Sequence, residues 1–158
     1  VFILSIISGY IISKEGYFSL VFGAFVAQLS SILDGCDGEV ARIKLLSSKF
    51  GEWFDRVLDR YGDVFILTGL TFHCYHIHNS LIVFFIGFLA VGSKIILSYT
   101  AYIYDKIILK KNLFRLGRDV IIFFILIGSV LNLPYFTLTI LTIFMNFEII
   151  KRLLTLNQ

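Results

Sequence analysis

Residues 34–42 read Asp-Gly-Cys-Asp-Gly-Glu-Val-Ala-Arg, an acidic stretch in a chain that is otherwise strongly apolar. With Asp55 and Asp59 further along, this region contains four carboxylates, at Asp34, Asp37, Asp55 and Asp59. An ionisable group at membrane depth costs at least about 2.5–3.5 kcal/mol on insertion scales, so four together need compensation. Because hard divalent cations prefer oxygen ligands, a bound cation offers that compensation. We therefore predict that this region holds the functional site.

The composition predicts an all-α integral membrane protein. The 158 residues are 58% hydrophobic and only 16% charged, with one proline. A soluble domain has about 25% charged residues, and at about 20 residues per span this length allows five or six helices. No basic stripe stands free of the apolar segments, so we expect no nucleic-acid partner.

Six apolar segments predict six transmembrane helices. They cover residues 1–13, 17–33, 50–75, 81–104, 119–131 and 134–150. The first segment is short, since about 12 residues span only ~18 Å of a ~30 Å hydrocarbon core. We expect the numbered chain to open inside a longer first helix. With no repeat or linker to divide it, the sequence predicts one transmembrane domain over residues 1–158, as a fragment of a longer chain.

Basic residues gather on one side of the predicted helices. They lie around the carboxylate region, in the connection 105–118 and at the C-terminal end, whereas the opposite side has only Lys14. The positive-inside rule then places the carboxylates at the cytoplasmic face of the cell membrane.

The spacing of the carboxylates predicts that they meet. Asp34 and Asp37 are three residues apart, and Asp55 and Asp59 are four apart, so each pair shares one face of a helix. Two antiparallel helices joined by a short basic loop, residues 39–49, can bring the pairs together. Four carboxylates at one focus suffice for one or two Mg²⁺ or Mn²⁺ ions.

Glycines and an arginine accompany the carboxylates. Gly38 and Gly51 have no side chain, so a ligand can approach the backbone closely at these positions. Arg42 can donate paired hydrogen bonds to phosphate oxygens. This combination suggests phosphoryl chemistry on a nucleotide or a pyrophosphate.

The complete pattern is Asp-Gly-x2-Ala-Arg-x8-Gly-x3-Asp-x3-Asp, and it resembles the signature of the CDP-alcohol phosphotransferases. It is met by Asp37, Gly38, Ala41, Arg42, Gly51, Asp55 and Asp59. Asp34 matches the additional upstream aspartate of the longer form. The resemblance implies six transmembrane helices with the motif across the second and third, and a homodimer.

The resemblance also implies roles for the motif residues. Asp34, Asp37 and Asp55 would hold a two-metal centre of Mg²⁺ or Mn²⁺, to which Asp59 would contribute. Asp59 would also act as the base, taking a proton from an acceptor hydroxyl that attacks the β-phosphorus of a CDP-alcohol and releases CMP. The CDP site would be lined by Gly38, Arg42 and Gly51.

A second basic cluster suggests how an acceptor could bind. Lys106, Arg115 and Arg118 lie near the start of the fifth apolar segment. They are either ordinary membrane anchors or a pocket for a phosphate on the acceptor, such as inositol phosphate. Residues 33–39 also resemble the di-myo-inositol phosphate phosphate synthase branch. Free inositol, glycerol phosphate, serine or another polar alcohol stay open as acceptors.

Two other functions remain open. One is a cation channel or transporter that uses the acidic cluster, and the other is a non-catalytic family member. The side chain of Arg42 beside the cluster would repel a permeating cation, and no second acidic layer crosses the predicted bilayer.

Several pairs outside the motif carry structural predictions. Lys94 and Asp63 lie at comparable depth and predict a salt bridge within the predicted spans. Gly62 and Gly69 predict a close helix–helix contact, and Glu148 with Arg152 predicts an i,i+4 pair. His73, His76 and His78 are interpreted as interfacial side chains far from any carboxylate.

Overall fold

A computed structural model describes residues 1–43, 49–108 and 117–156, with side chains described for residues 1–36, 50–51, 53–101 and 117–154. All the regular structure in these ranges is helical, which confirms the all-α prediction. The helices are α1 (Phe2–Ile12), α2 (Tyr17–Ile43), α3 (Lys49–His78), α4 (Leu81–Ile108), α5 (Arg118–Val130) and α6 (Pro134–Leu156).

Each of the six helices covers most or all of one apolar segment. Two of them contain a stretch that is long and apolar enough to cross a membrane, Tyr17–Cys36 in α2 and Leu81–Ala101 in α4. For the other helices in the described part of the chain, a membrane crossing stays a prediction.

The helices α2 and α4 are longer than the apolar segments that predicted them. The segment ending at residue 33 continues as helix to Ile43, and the one ending at residue 104 continues to Ile108. The predicted loop 39–49 is therefore wrong at its start, although residues 44–48 lie outside the described part. Charged residues ended the apolar pattern but do not break a helix, because glutamate, alanine and arginine are good helix formers.

The helix α1 lies against both helices that carry the motif. It packs on α2 and on α3, whereas α2 and α3 contact each other much less. The motif spacing predicts only a meeting of α2 and α3, and the structure adds α1 as the helix on which both of them pack. Small residues allow this arrangement, since Ser5, Ser8 and Gly9 are all buried and Ser8 Oγ donates to the Gly23 carbonyl at 2.8 Å.

The crossing of α1 and α3 brings two backbones together. A Cβ atom at Gly69 would meet the backbone of Gly9, and one at Gly9 would meet the Phe65 carbonyl. One at Gly62 would lie 3.0 Å from Ser5 Cβ. The predicted close contact at Gly62 and Gly69 is confirmed, with α1 as the partner helix.

The remaining helices complete the bundle around α4 and α5. The helix α4 packs on α3 and α6, and α5 packs on α2 and α6. The buried Arg152 side chain donates to Glu148 at 3.1 Å and to the Leu97 carbonyl at 2.9 Å. The predicted pair is confirmed, and it also joins α6 to α4.

The crossing predicts a difference between two glycine-to-alanine variants. Gly69→Ala should destabilise the protein by about 1–3 kcal/mol or more, because its Cβ meets backbone that must move. Gly92→Ala, in α4, should be neutral or slightly stabilising, because nothing lies within 4 Å of its added Cβ. Thermal unfolding in detergent micelles measures both. Equal melting temperatures for the two variants would count against the close crossing.

Candidate active site

Three aspartates of the motif meet where α2 and α3 approach each other. A carboxylate oxygen of Asp34, from α2, and one each of Asp55 and Asp59, from α3, all lie within 4.8 Å of one another. Asp55 is exposed, whereas Asp34 and Asp59 are partly buried. The predicted convergence of acidic side chains from two helices is therefore observed for these three residues.

The geometry of this group suits a divalent cation. Oxygen ligands lie about 2.0–2.6 Å from Mg²⁺ or Ca²⁺, so two ligands of one ion are separated by at most roughly 5 Å. The three carboxylates satisfy that limit. Among the described side chains, they are the one group of three or more aspartate, glutamate, histidine or cysteine residues that does so.

Other predicted site residues are placed only in part. The backbone of Asp37, Gly38 and Arg42 belongs to α2, one to two turns beyond Asp34, but nothing of their side chains is described. Gly51 is exposed in the first turn of α3. Of the predicted acceptor residues, Lys106 lies in α4 without a described side chain, and Arg115 lies outside the described residues.

Arg118 lies inside the carboxylate cluster. Its Nη1 is 3.1 Å from Asp34 Oδ2 and also donates to Asp59 Oδ1, while its Nη2 donates to Ser5 Oγ at 3.2 Å. The side chain is only 10% exposed. Arg118 was grouped by sequence with a basic loop, but α5 packs on α2, and this brings its first residue beside Asp34. A guanidinium offers five N–H donors, so one arginine can serve several carboxylates.

Asp63 lies one helical turn beyond Asp59 and contacts three cationic side chains. Its Oδ2 is 3.1 Å from Arg60 Nη1 and 3.4 Å from Lys94 Nζ, and its Oδ1 is 3.3 Å from Arg118 Nε. The predicted Asp63–Lys94 pair is confirmed. The contacts with Arg60 and Arg118 were not predicted. The i,i+3 spacing of Arg60 and Asp63 is a sequence signal for the first contact, whereas the sequence carries no signal for the second.

A cleft of about 270 Å³ opens beside these groups. It is lined by Asp34, Gly35, Asp59, Arg60, Lys94, Leu97, Ser98, Gly117, Arg118 and Asp119. Acidic and basic side chains therefore share one cavity. Asp119 was not predicted as a site residue. Its Oδ1 accepts a hydrogen bond of 2.5 Å from the buried Ser31, which fixes the carboxylate against α2.

No histidine belongs to the carboxylate cluster among the described side chains, as expected, but one histidine has a carboxylate neighbour. His73 Nδ1 lies 2.8 Å from the Lys14 carbonyl. His76 Nδ1 lies 3.2 Å from Glu15 Oε1, so the expectation that no carboxylate is near the histidines is wrong. The connection between α1 and α2 lies beside the end of α3. Glu15 and His76 are far apart in the sequence, so their contact could not be predicted from it. His76 and Glu15 are two residues only, and no third ligand joins them among the described side chains.

Comparison with known proteins agrees with the motif. The family model for CDP-alcohol phosphatidyltransferase matches residues 1–153. A protein of Aquifex aeolicus named bifunctional IPC transferase and DIPP synthase is 35% identical over 156 residues, which is 94% of this chain and 36% of that protein. A protein of the same name from Rubrobacter xylanophilus is 33% identical over 140 residues, covering 86% of this chain and 31% of that protein.

A third relative with that name, from Thermococcus kodakarensis, is 38% identical over 98 residues, or 62% of this chain and 22% of that protein. The chain thus spans about a third of the length of the first two relatives. The family match, in contrast, runs through nearly the whole chain and includes every residue of the aspartate motif. This chain therefore belongs to the CDP-alcohol phosphatidyltransferase family.

Proposed function

We propose that this chain transfers a phospho-alcohol group from a CDP-alcohol to the hydroxyl of an acceptor alcohol. CMP is released and a phosphodiester forms. The observation that carries the proposal is the convergence of Asp34, Asp55 and Asp59 within 4.8 Å, in a chain of this family. The alternative of a cation channel is weaker, because these three carboxylates form the one acidic cluster of this kind among the described side chains, and a conduction path would need acidic groups at several depths.

The metal site is proposed to contain Asp34, Asp37, Asp55 and Asp59. Mg²⁺ or Mn²⁺, as a two-metal centre, would neutralise phosphate charge and stabilise the leaving oxygen of CMP. Asp37 is assigned by its position in the motif. Asp34, Asp55 and Asp59 are assigned by the motif and by the mutual distances of their oxygens.

Asp59 is proposed to act as the base. It borders the cleft and is 18% exposed, so a hydroxyl bound in the cleft can reach it. Asp59 takes the proton of that hydroxyl, and the oxygen forms a bond to the β-phosphorus of the donor. The bond between this phosphorus and the oxygen of CMP breaks, and its electron pair leaves with CMP. Gly38, Arg42 and Gly51 are proposed to bind the CDP group.

The acceptor is proposed to be phosphorylated, with inositol phosphate as the leading candidate. Arg118, Arg60 and Lys94 border the cleft and form its cationic wall, while the carboxylates of Asp34, Asp59 and Asp119 line other parts of it. Lys106 and Arg115 would extend the cationic wall. The relatives' shared name, IPC transferase and DIPP synthase, is consistent with this choice.

The protein is proposed to be a multi-pass protein of the cell membrane with its active site facing the cytoplasm. Many large apolar side chains on the outside of the bundle are exposed, including Phe18 at 86% and Phe88 at 81%, and lipid would cover them. In the sequence, basic residues flank the aspartate motif, and the positive-inside rule assigns such a loop to the cytoplasm. A homodimer is proposed from the family resemblance.

Replacing the base should separate catalysis from metal binding. Asp59→Asn should lower CMP release by about 10²–10⁴-fold, the usual contribution of a general base, while Mn²⁺ remains bound because other carboxylates of the site persist. Asp55→Asn is the matched variant one turn earlier and should weaken Mn²⁺ binding. Enzymatic detection of CMP and Mn²⁺ paramagnetic resonance give the two readouts. Wild-type turnover in Asp59→Asn would exclude it as the base.

The acceptor assignment predicts a selective effect on its KM. Arg115→Ala should raise the KM for inositol phosphate by about tenfold, equivalent to one lost charge-assisted contact, and leave the KM for free inositol unchanged. Mass spectrometry of products from paired CDP-donors and acceptors identifies which pair is used. An unchanged KM for inositol phosphate in both Arg115→Ala and Arg118→Ala would refute a phosphate-binding role.

A further inference from the structure

We propose that Asp63 is a positioning residue, which holds Lys94 and Arg118 in place to meet the anionic group of the acceptor. This inference rests on the proposed function. It concerns a residue outside the aspartate motif and outside the cleft, since Asp63 is 4% exposed and does not line the cavity. Its three cationic partners, Arg60, Lys94 and Arg118, all line it.

The division of contacts between the two oxygens of Asp63 supports this role. Oδ2 lies 3.1 Å from Arg60 Nη1 and 3.4 Å from Lys94 Nζ, whereas Oδ1 lies 3.3 Å from Arg118 Nε. One carboxylate therefore ties together side chains from α3, α4 and α5. Lys94 is itself 5% exposed, so its ammonium has little freedom to leave Asp63.

The cations retain donors for a further anion. An ammonium has three N–H donors, and a guanidinium has five. The buried Nε–H of Arg118 has no aligned hydrogen-bond acceptor, although Asp63 Oδ1 lies 3.3 Å away. The two oxygens of Asp63 are shared among Arg60, Lys94 and Arg118, so they do not use all the donors of these cations. A phosphate in the cleft can accept hydrogen bonds from the donors that remain.

The position of Asp63 on α3 couples this cationic wall to the proposed metal site. Asp55, Asp59 and Asp63 follow at intervals of four residues, so they lie along one face of the same helix. The first two belong to the metal-binding group, and the third contacts the cations. The rigid helix thereby sets the distance between the reacting phosphate and the group that holds the acceptor.

The surroundings of Asp63 away from the cleft strengthen its ion pairs. A second cavity of only about 10 Å³ borders Asp63 and Lys94, and its other walls are apolar, among them Ile121 and Ile125. That volume is close to the smallest that accepts one water molecule. In such surroundings opposite charges attract more strongly than in water. Because the cavity has so little room for water, Lys94 depends on Asp63 as its partner on this side.

The main test replaces the charge of Asp63 but not its size. In Asp63→Asn, the KM for inositol phosphate should rise by about tenfold or more, as when a residue that orients a ligand-binding group is lost. The kcat at saturating acceptor, the KM for the CDP-donor and Mn²⁺ binding should stay near wild type. Asp63→Glu, which restores a carboxylate, should recover part of the acceptor KM. A fold defect would alter all of these parameters together, and that result in both Asp63→Asn and the double variant described below would overturn the inference.

A second variant protects the test against misfolding, since Asp63→Asn leaves Lys94 buried without its carboxylate. The double variant Asp63→Asn/Lys94→Met removes both charges and should fold, bind Mn²⁺ and keep the raised acceptor KM. Glu148→Gln is the matched control, because Glu148 is also a mostly buried carboxylate paired with an arginine, but that partner, Arg152, does not line the cleft. Its acceptor KM should equal that of wild type. A wild-type acceptor KM in both Asp63 variants would overturn the inference while leaving the proposed function intact.

A binding measurement keeps the two proposals separable. Inorganic phosphate should raise the melting temperature of the wild-type full chain and of Glu148→Gln, but much less that of the Asp63 variants. This readout does not depend on turnover. Failure of every CDP-donor to yield CMP would reject the proposed function, whereas equal stabilisation of all variants by phosphate would reject the role of Asp63.

Discussion

The structure depends on one electrostatic constraint, the mutual repulsion of carboxylates that two helices bring together in an apolar bundle. Asp34, Asp59 and Asp63 all contact one guanidinium, that of Arg118. Removing a single partner from such a buried cluster leaves an uncompensated charge, which typically costs about 3–5 kcal/mol. The packing of α5 on α2 places Arg118 beside Asp34. The charge balance of the site therefore depends on this packing as well as on the aspartate motif.

The sequence predicted the centre of the site because its signal is local. A spacing of four residues places Asp55 and Asp59 on one helix face whatever the rest of the fold does, whereas the sharing of a face by Asp34 and Asp37 stays a prediction. The pairing of Lys94 with Asp63 was also predictable, since two opposite charges at similar depth in apolar segments have few other partners. The close contact at Gly62 and Gly69 followed from the small size of glycine in a long apolar helix.

The rest of the site depends on which helices are neighbours, and periodicity does not encode that. Sequence alone did not reveal that α1 packs on both motif helices, or that Arg118 contacts the aspartates. The third cation on Asp63 and the bond from Ser31 to Asp119 are long-range contacts of the same kind. Helix ends were also misjudged, because the apolar pattern stops at Asp34 whereas the helix continues to Ile43.

The resulting site arranges three carboxylates of α3 in order along one helix, with Arg118 in contact with both Asp59 and Asp63. Near the start of α3, carboxylates face a position suited to divalent metal ions. One to two turns further on, Asp63 contacts the side chains of Arg60 and Lys94, which can bind an anion. A donor that carries a pyrophosphate and an acceptor that carries a phosphate would need both. The family membership and this arrangement of charge lead to the same reaction class.

The most direct test of the central claim is the anomalous X-ray scattering of Mn²⁺ in crystals of this protein grown with CDP. The account predicts a peak bounded by the carboxylates of Asp34, Asp55 and Asp59, with density for a nucleotide diphosphate adjoining it. An anomalous map with no peak there, and aspartate oxygens that point away from one another, would contradict the account.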